Sequence, residues 1–274
     1  MTTQTFDARA AMEEYRTAFE SGCEGFLTRY PDSDLYAPVR YLMGLGGKRL
    51  RPVLVMAACE ACGGTREQAL PAALAVELFH NFTLMHDDIM DEAPLRRGHA
   101  TVHEKWGDNL AILSGDALHV MACEALLDAP EEALSSLLRM YHRTALEVCE
   151  GQEPDMAFET RDEVAIEEYM EMIRLKTSVL LAAALDMGGG SAGADAATRE
   201  ALYAFGLHVG LAFQLQDDYL DAFGNPENFG KQVGGDILAD KKTFLLIRAL
   251  EKAGEADLES LRAELGAKRE GKVE

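Results

Sequence analysis

Two stretches of this chain set carboxylates four residues apart directly after an apolar run, and that spacing presses the chain toward helices. The first is residues 84–98, LMHDDIMDEAPLRRG, with Asp87 and Asp91 four residues apart and Asp88 beside the first. On a helix, residues i and i+4 share a face at roughly 5–6 Å between Cβ atoms, so two like charges there destabilise it. A hard divalent cation relieves that repulsion; Mg²⁺ prefers carboxylate oxygens and completes its shell with water and phosphate. Arg96 and Arg97 follow in the next loop, where a guanidinium can grip anionic oxygens with two parallel bonds. The second stretch is residues 214–221, QLQDDYLD, trailed by Lys231, Lys241 and Lys242. A lone Asp-Asp-x-x-Asp is commonly a solvated helix face. Here each copy is led in by apolar residues, FHNFTLM at 79–85 and LAFQL at 211–215, which surface clusters lack. The doubled pattern points to a diphosphate held through metal ions between two helices.

The remainder of the chain sets bounds. At 274 residues it can bury a sizeable core as one domain. A net charge of −21 argues against nucleic acid or an anionic membrane surface as the main partner, so the few cations near the acidic faces gain meaning. The opening residues, MTTQTFDARAAMEEY, have no basic segment followed by an apolar run, and no window approaches the ~18 apolar residues of a membrane span. We therefore expect no stable membrane insertion and a cytoplasmic location. An odd number of cysteines, five, fits a reducing compartment, and the lone Cys59-x-x-Cys62 pair reads as small helix-packing residues rather than a zinc site.

Nearly every periodic segment has helical spacing, with no convincing strand alternation or hairpin signal. The pattern predicts a helix over about 7–28 with Met12, Tyr15, Phe19 and Phe26 on one side. A short helix at 38–43 follows, then a mostly buried one from Pro52 to about 62, and a long one from 67 into Asp91. Residues 92–107 read as a loop. Helices follow at 109–128, 131–158 and 162–187; the run GGGSAG at 188–193 reads as a flexible loop, followed by helices at 195–221 and 240–252. The expected fold class is all-α, a single-domain bundle over residues 1–274 of roughly ten helices around a central apolar cavity.

Three further features carry chemistry. In GGKRLRP at 46–52, glycines let the backbone approach an anion while Lys48 and Arg51 supply charge; the spacing and the Ser/Thr of a nucleotide P-loop are missing. His80 lies about two turns before Asp87, on a similar helix face. Lys176-Thr177 interrupts an apolar helix; a lysine there either snorkels to the surface or turns into a polar cavity, and the cavity is the favoured reading.

Together these motifs resemble the trans-isoprenyl diphosphate synthases, the farnesyl and geranylgeranyl diphosphate synthase family, from Gly46 to Thr243. The resemblance implies the type I isoprenoid synthase fold and a Mg²⁺-dependent, head-to-tail 1'-4 condensation of isopentenyl diphosphate with an allylic diphosphate. It implies that Asp87, Asp88 and Asp91, with Asp217, Asp218 and Asp221, bind three Mg²⁺ ions, Asp87, Asp91 and Asp217 supplying most direct ligands. Gly47, Lys48, Arg51, His80 and Arg97 match positions for the isopentenyl diphosphate; Arg96, Lys176, Lys231 and Lys241 match positions for the allylic diphosphate. Thr177, Gln214, Gln152 and Asp155 would line the reacting centre. Phe82 and Thr83, five and four residues before Asp87, occupy the positions that set product length, and one aromatic followed by a small residue favours twenty carbons over fifteen. The family analogy also implies a homodimer, and several more helical turns after the lysine-rich loop, so we expect the last helices of the family to be lacking. Two other readings remain open, a class I terpene cyclase and an inactive regulatory subunit of a heteromeric synthase.

Overall fold

The computed structural model describes residues 7–224, 235–238 and 241–254, and these are all-α apart from one two-residue hairpin. Their contacts divide into two compact units, the described residues of Met1–Ala145 with Leu180–Gly206, and those of Leu146–Val179 with Leu207–Glu274.

In the first unit, α1 (Ala8–Leu27) starts where Asp7 Oδ1 accepts the N–H groups of Arg9 and Ala10 at 3.0 and 3.1 Å. It buries Phe19, Cys23 and Phe26; Met12, expected on that face, is exposed. It lies a turn before Tyr15, whose hydroxyl donates to Glu60 Oε2 (2.6 Å) and begins the contact with the neighbouring helix. Then come α2 (Ala37–Gly44) and α3 (Leu50–Ala61), which carries Pro52 in its first turn, where the missing N–H costs little. The long α4 (Arg66–Met90) opens with a reciprocal cap between Thr65 and Gln68. It packs mainly on α3 and on α6 (Asp108–Leu126), burying Leu74, Leu78, Phe79 and Met85.

The segment expected as a loop between α4 and α6 is structured. Strands β1 (Leu95–Arg96) and β2 (His99–Ala100) pair antiparallel, and α5 (Val102–Trp106) follows. The hairpin turn, Arg97-Gly98, has φ of 54° and 77°, the two left-handed residues of a type I′ turn. Such turns favour Asn-Gly, so Arg-Gly gave no signal.

Most of the glycine run is also not a loop; only Ala192 and Gly193 (φ 73°) lie in the turn that follows the helix. α9 (Val179–Ser191) continues through Gly188, Gly189 and Gly190, all buried. A Cβ on Gly188 would lie 2.3 Å from the Val55 carbonyl oxygen, and one on Gly190 3.1 Å from Arg199 Cζ. These glycines serve close approach of neighbours rather than mobility.

α7 (Glu131–Phe158) and α10 (Ala196–Phe223) supply residues to both units. In the second unit, the helix expected at 162–187 begins only at Ile166, as α8 (Ile166–Ile173). It then passes through a π-helical turn, Arg174–Ser178, before α9. The described residues end with α11 (Gly235–Leu238) and α12 (Phe244–Lys252). A small core of Phe158, Val164, Ile166, Tyr169, Met172, Ile173 and Ile247 holds α8 and α12 together. Among the described residues no helix is long and apolar enough to cross a membrane.

Candidate active site

The first acidic cluster is the C-terminal turn of α4. Asp87 is half-buried, Asp88 is 2% exposed, and Asp91 caps the helix in solvent. Carboxylates at this end also meet the negative pole of the helix dipole, so the arrangement needs cations. Arg96 on β1 supplies one, with Nε 3.0 and 3.1 Å from the two Asp88 oxygens and Nη2 2.5 Å from Oδ1. Arg97, at the hairpin turn, reaches back so that Nη1 donates to the Gly46 carbonyl. Its guanidinium lies so close to Gly47 that a Cβ there would be 2.9 Å from Cζ, which explains the glycine.

Lys48 is exposed in the same loop, while Arg51 turns inward and its Nη1 lies 3.1 Å from His80 Nε2. Arginine only donates, so Nε2 must be the accepting nitrogen and Nδ1 carries the proton. Burial, then the charges of Arg51, Arg97 and Arg96, holds the His80 pKa well below its ordinary value. Phe82 packs against Phe79, His86 and His119 with ring centroids 5.5, 4.6 and 5.2 Å away, and Thr83 Oγ1 donates to the His80 carbonyl. One pair had not been singled out from sequence: Arg49 and Glu77, both buried, with Nη1 to Oε1 at 2.7 Å. The signal was present, a charge inside the apolar run ALAVELF.

The second cluster lies on the last turns of α10. Asp217 is half-buried, while Asp218 and Asp221 are buried. Asp218 accepts from the Tyr169 hydroxyl at Oδ2 and from Gln214 Nε2 at Oδ1 (3.0 Å); Gln214 Oε1 in turn accepts from Thr177 Oγ1 (3.1 Å). Asp221 Oδ2 accepts the backbone N–H of Asp236 on α11 (2.9 Å). Burial raises the Asp218 pKa against the lowering pull of these donors. Burial and then the Asp221 charge push Asp236 up to about 6.

Lys176 and Thr177 belong to the π-helical turn, a form that often marks functional sites. Lys176 Nζ pairs with Asp155 Oδ2 at 2.5 Å, so the lysine is turned to a polar partner. Gly151 lets α7 approach that turn, since a Cβ would lie 2.4 Å from the Lys176 backbone nitrogen. Gln152 and Lys241 are half-buried, and the Lys241 N–H donates to the Asp236 carbonyl (2.9 Å). Lys231 lies outside the described residues. Tyr169 and Asp236 had not been anticipated; an aromatic in an apolar helix reads as core, and Asp236 follows a loop with no periodicity.

The structure thus gathers Gly47, Lys48, Arg51, His80, Arg96 and Arg97 around the acidic end of α4, and Asp155, Lys176, Thr177 and Gln214 beside the acidic end of α10. Among the described residues no three His, Cys, Asp or Glu side chains converge to hold a metal ion. The donors are nonetheless of one kind. Asp88 pairs with Arg96, and Asp87 and Asp91, one turn apart, carry oxygen donors of the type Mg²⁺ takes together with phosphate oxygens.

Comparison with known proteins agrees with this chemistry. Residues 32–274 match the polyprenyl synthetase family. The geranylgeranyl diphosphate synthase of Methanosarcina mazei is 46% identical over 227 residues, which are 82% of this chain and 70% of that protein. A crystal structure of a geranylgeranyl pyrophosphate synthase superposes with a TM-score of 0.88 at 47% identity, covering 95% of this chain and 83% of the other. The geranylgeranyl pyrophosphate synthase of Corynebacterium glutamicum, solved with isoprenyl diphosphate and magnesium, superposes with a TM-score of 0.82 at 30% identity over 95% of this chain and 82% of its own.

Proposed function

This chain belongs to the polyprenyl synthetase family of prenyltransferases, and we propose that it condenses isopentenyl diphosphate with an allylic diphosphate to give geranylgeranyl diphosphate. The observation that carries the reading is the set of cations fixed around the acidic end of α4. Arg96 is locked on Asp88, Arg97 on the Gly46 carbonyl, and Arg51 on His80.

In this reading Lys48, Arg51, His80 and Arg97 hold the diphosphate of isopentenyl diphosphate. Arg96, Lys176, Lys231 and Lys241 hold the allylic diphosphate. Asp87, Asp91 and Asp217 supply most of the direct metal ligands, with Asp88, Asp218 and Asp221 the buried members of the two clusters. Bound Mg²⁺ supplies positive charge to the leaving diphosphate oxygens. The arginines and lysines add fixed charge where negative charge develops, so the allylic C–O bond breaks with its electron pair on the diphosphate. The isopentenyl double bond then forms the new C–C bond, and a proton passes to the released diphosphate. Thr177 and Gln214, hydrogen-bonded to each other, orient the reacting centre. Phe82, wedged among Phe79, His86 and His119, forms the floor that stops growth at twenty carbons. Support for a homodimer comes from α6 and its C-cap, where Leu113, Val120 and the capping Leu127 recur every seven residues, all exposed. We place the protein in the cytoplasm.

The test is incorporation of radiolabelled isopentenyl diphosphate with dimethylallyl, geranyl and farnesyl diphosphate, with and without Mg²⁺. The expected result is a metal-dependent twenty-carbon diphosphate from each starter. Cyclised hydrocarbon from an allylic diphosphate alone, or no turnover, would count against the reading. Phe82→Ala should lengthen the product.

A further inference from the structure

We propose that Glu77, acting through Arg49, is the positioning residue for the basic loop at 46–51; this deepens the reading above, in which Lys48 and Arg51 of that loop hold isopentenyl diphosphate. Arg49 has a left-handed backbone (φ 47°, ψ 35°) at the start of α3, a conformation that disfavours any side chain with a Cβ. Something must impose it. The guanidinium is 6% exposed and joins three elements: Nη1 to Glu77 on α4 at 2.7 Å, Nη2 to the Met43 carbonyl on α2, and its face over the Phe19 ring of α1 at 5.9 Å.

Glu77 is itself fixed. Asn81 Nδ2 donates to its carbonyl oxygen at 2.8 Å and to Oε1 at 3.4 Å. Because Arg49 accepts the first α3 bond (Val53 N–H, 3.2 Å), the place of its guanidinium sets where α3 begins. From that point Lys48 projects to solvent and Arg51 turns inward to His80. Glu77 and His80, three residues apart on one face of α4, therefore hold Arg49 and Arg51, the cap and the second residue of α3. The loop is pinned twice.

Charge argues the same way. Arg49, Arg51, Arg96 and Arg97 all lie near enough to His80 to depress its pKa, and such a cluster repels itself. The Glu77 carboxylate opposes the burial that lowers both Arg51 and Arg97. It offsets the mutual repulsion of the cluster without offering a surface anion to compete with the substrate.

The experiment uses Glu77→Gln, which keeps an acceptor facing Arg49 but removes the charge, and Arg49→Met/Glu77→Met, which replaces the buried pair with apolar side chains of similar bulk. KM is measured for each substrate, and amide hydrogen exchange is followed over residues 46–51. We expect KM for isopentenyl diphosphate to rise about tenfold or more in both variants, with KM for the allylic diphosphate within about twofold of the parent. The loop amides should exchange faster. An unchanged isopentenyl KM in folded variants, or parallel rises for both substrates, overturns the positioning role alone. A parent protein that incorporates no isopentenyl diphosphate overturns the functional reading first, and this inference with it.

Discussion

The two acidic helix ends look alike in sequence and are held differently in space. At the end of α4, Asp88 is gripped by the cation Arg96 through both carboxylate oxygens. At the end of α10, its counterpart Asp218 is held by neutral donors, the Tyr169 hydroxyl and the Gln214 amide. In both, the middle aspartate is buried and the one before it, Asp87 or Asp217, is half-buried, but the third differs: Asp91 is exposed and Asp221 is buried. The same Asp-Asp-x-x-Asp spacing thus stands in two different electrostatic settings. In the first cluster the buried carboxylate meets a cation within the protein. In the second, burial is what makes Asp218 hold its proton more tightly than an ordinary aspartate, and burial followed by the Asp221 charge does the same for Asp236.

The comparison breaks most visibly if one cluster proves dispensable. Asp87→Ala and Asp217→Ala should each lower kcat/KM by about a thousandfold, or about 4 kcal/mol of transition-state stabilisation, in steady-state assays. Retention of near-parental activity by either would mean that the two ends do different jobs.

Next in size is the contrast between the buried aspartates. Asp88→Asn removes the buried charge that holds the half-buried Arg96 guanidinium and should lower stability to urea by about 2 kcal/mol. Asp218→Asn keeps an acceptor for Tyr169 and should cost about 1 kcal/mol. The reverse order would show that charge compensation is not what separates them. Tyr169→Phe should also cost about 1 kcal/mol, with the Gln214 amide still donating to Asp218.

The smallest effect is in pH dependence, and here the two regions should move in opposite directions, measured as Tm in EDTA. The depressed pKa of His80 contributes stability that is complete above its ordinary 6.5 and fades as pH falls below it. The raised pKa of Asp236 contributes stability that is complete below its ordinary 3.8 and is lost as pH rises through about 6. His80→Gln should therefore flatten the acid side of the Tm profile, and Asp236→Asn the neutral side.

The acidic ends themselves were legible because metal chemistry demands a spacing that a one-dimensional string preserves. Arg96 and Arg97 were legible as cations near an anion site. Their scaffold was not, because Arg97 takes a left-handed turn position normally filled by Asn. The π-helical turn was hidden for a related reason: a regular period was assumed across residues 174–178, and one extra residue in a turn leaves no compositional trace. Glu77 could have been found, since a carboxylate amid ALAVELF requires a partner. Tyr169 could not. Its hydroxyl matters only because α8 brings it to Asp218, and no local pattern encodes that contact.

The buried glycines of α9 carry a consequence for the order in which the chain assembles. Each glycine is about 1 kcal/mol poorer than alanine in a helix, so three in a row leave this last turn unable to persist before its neighbours arrive. It can coil only once the backbone of α3 and the Arg199 side chain close over it. A late-forming segment influences how fast the native state comes apart more than how fast it is reached. The end of α9 is then a latch fastened after the surrounding helices have docked.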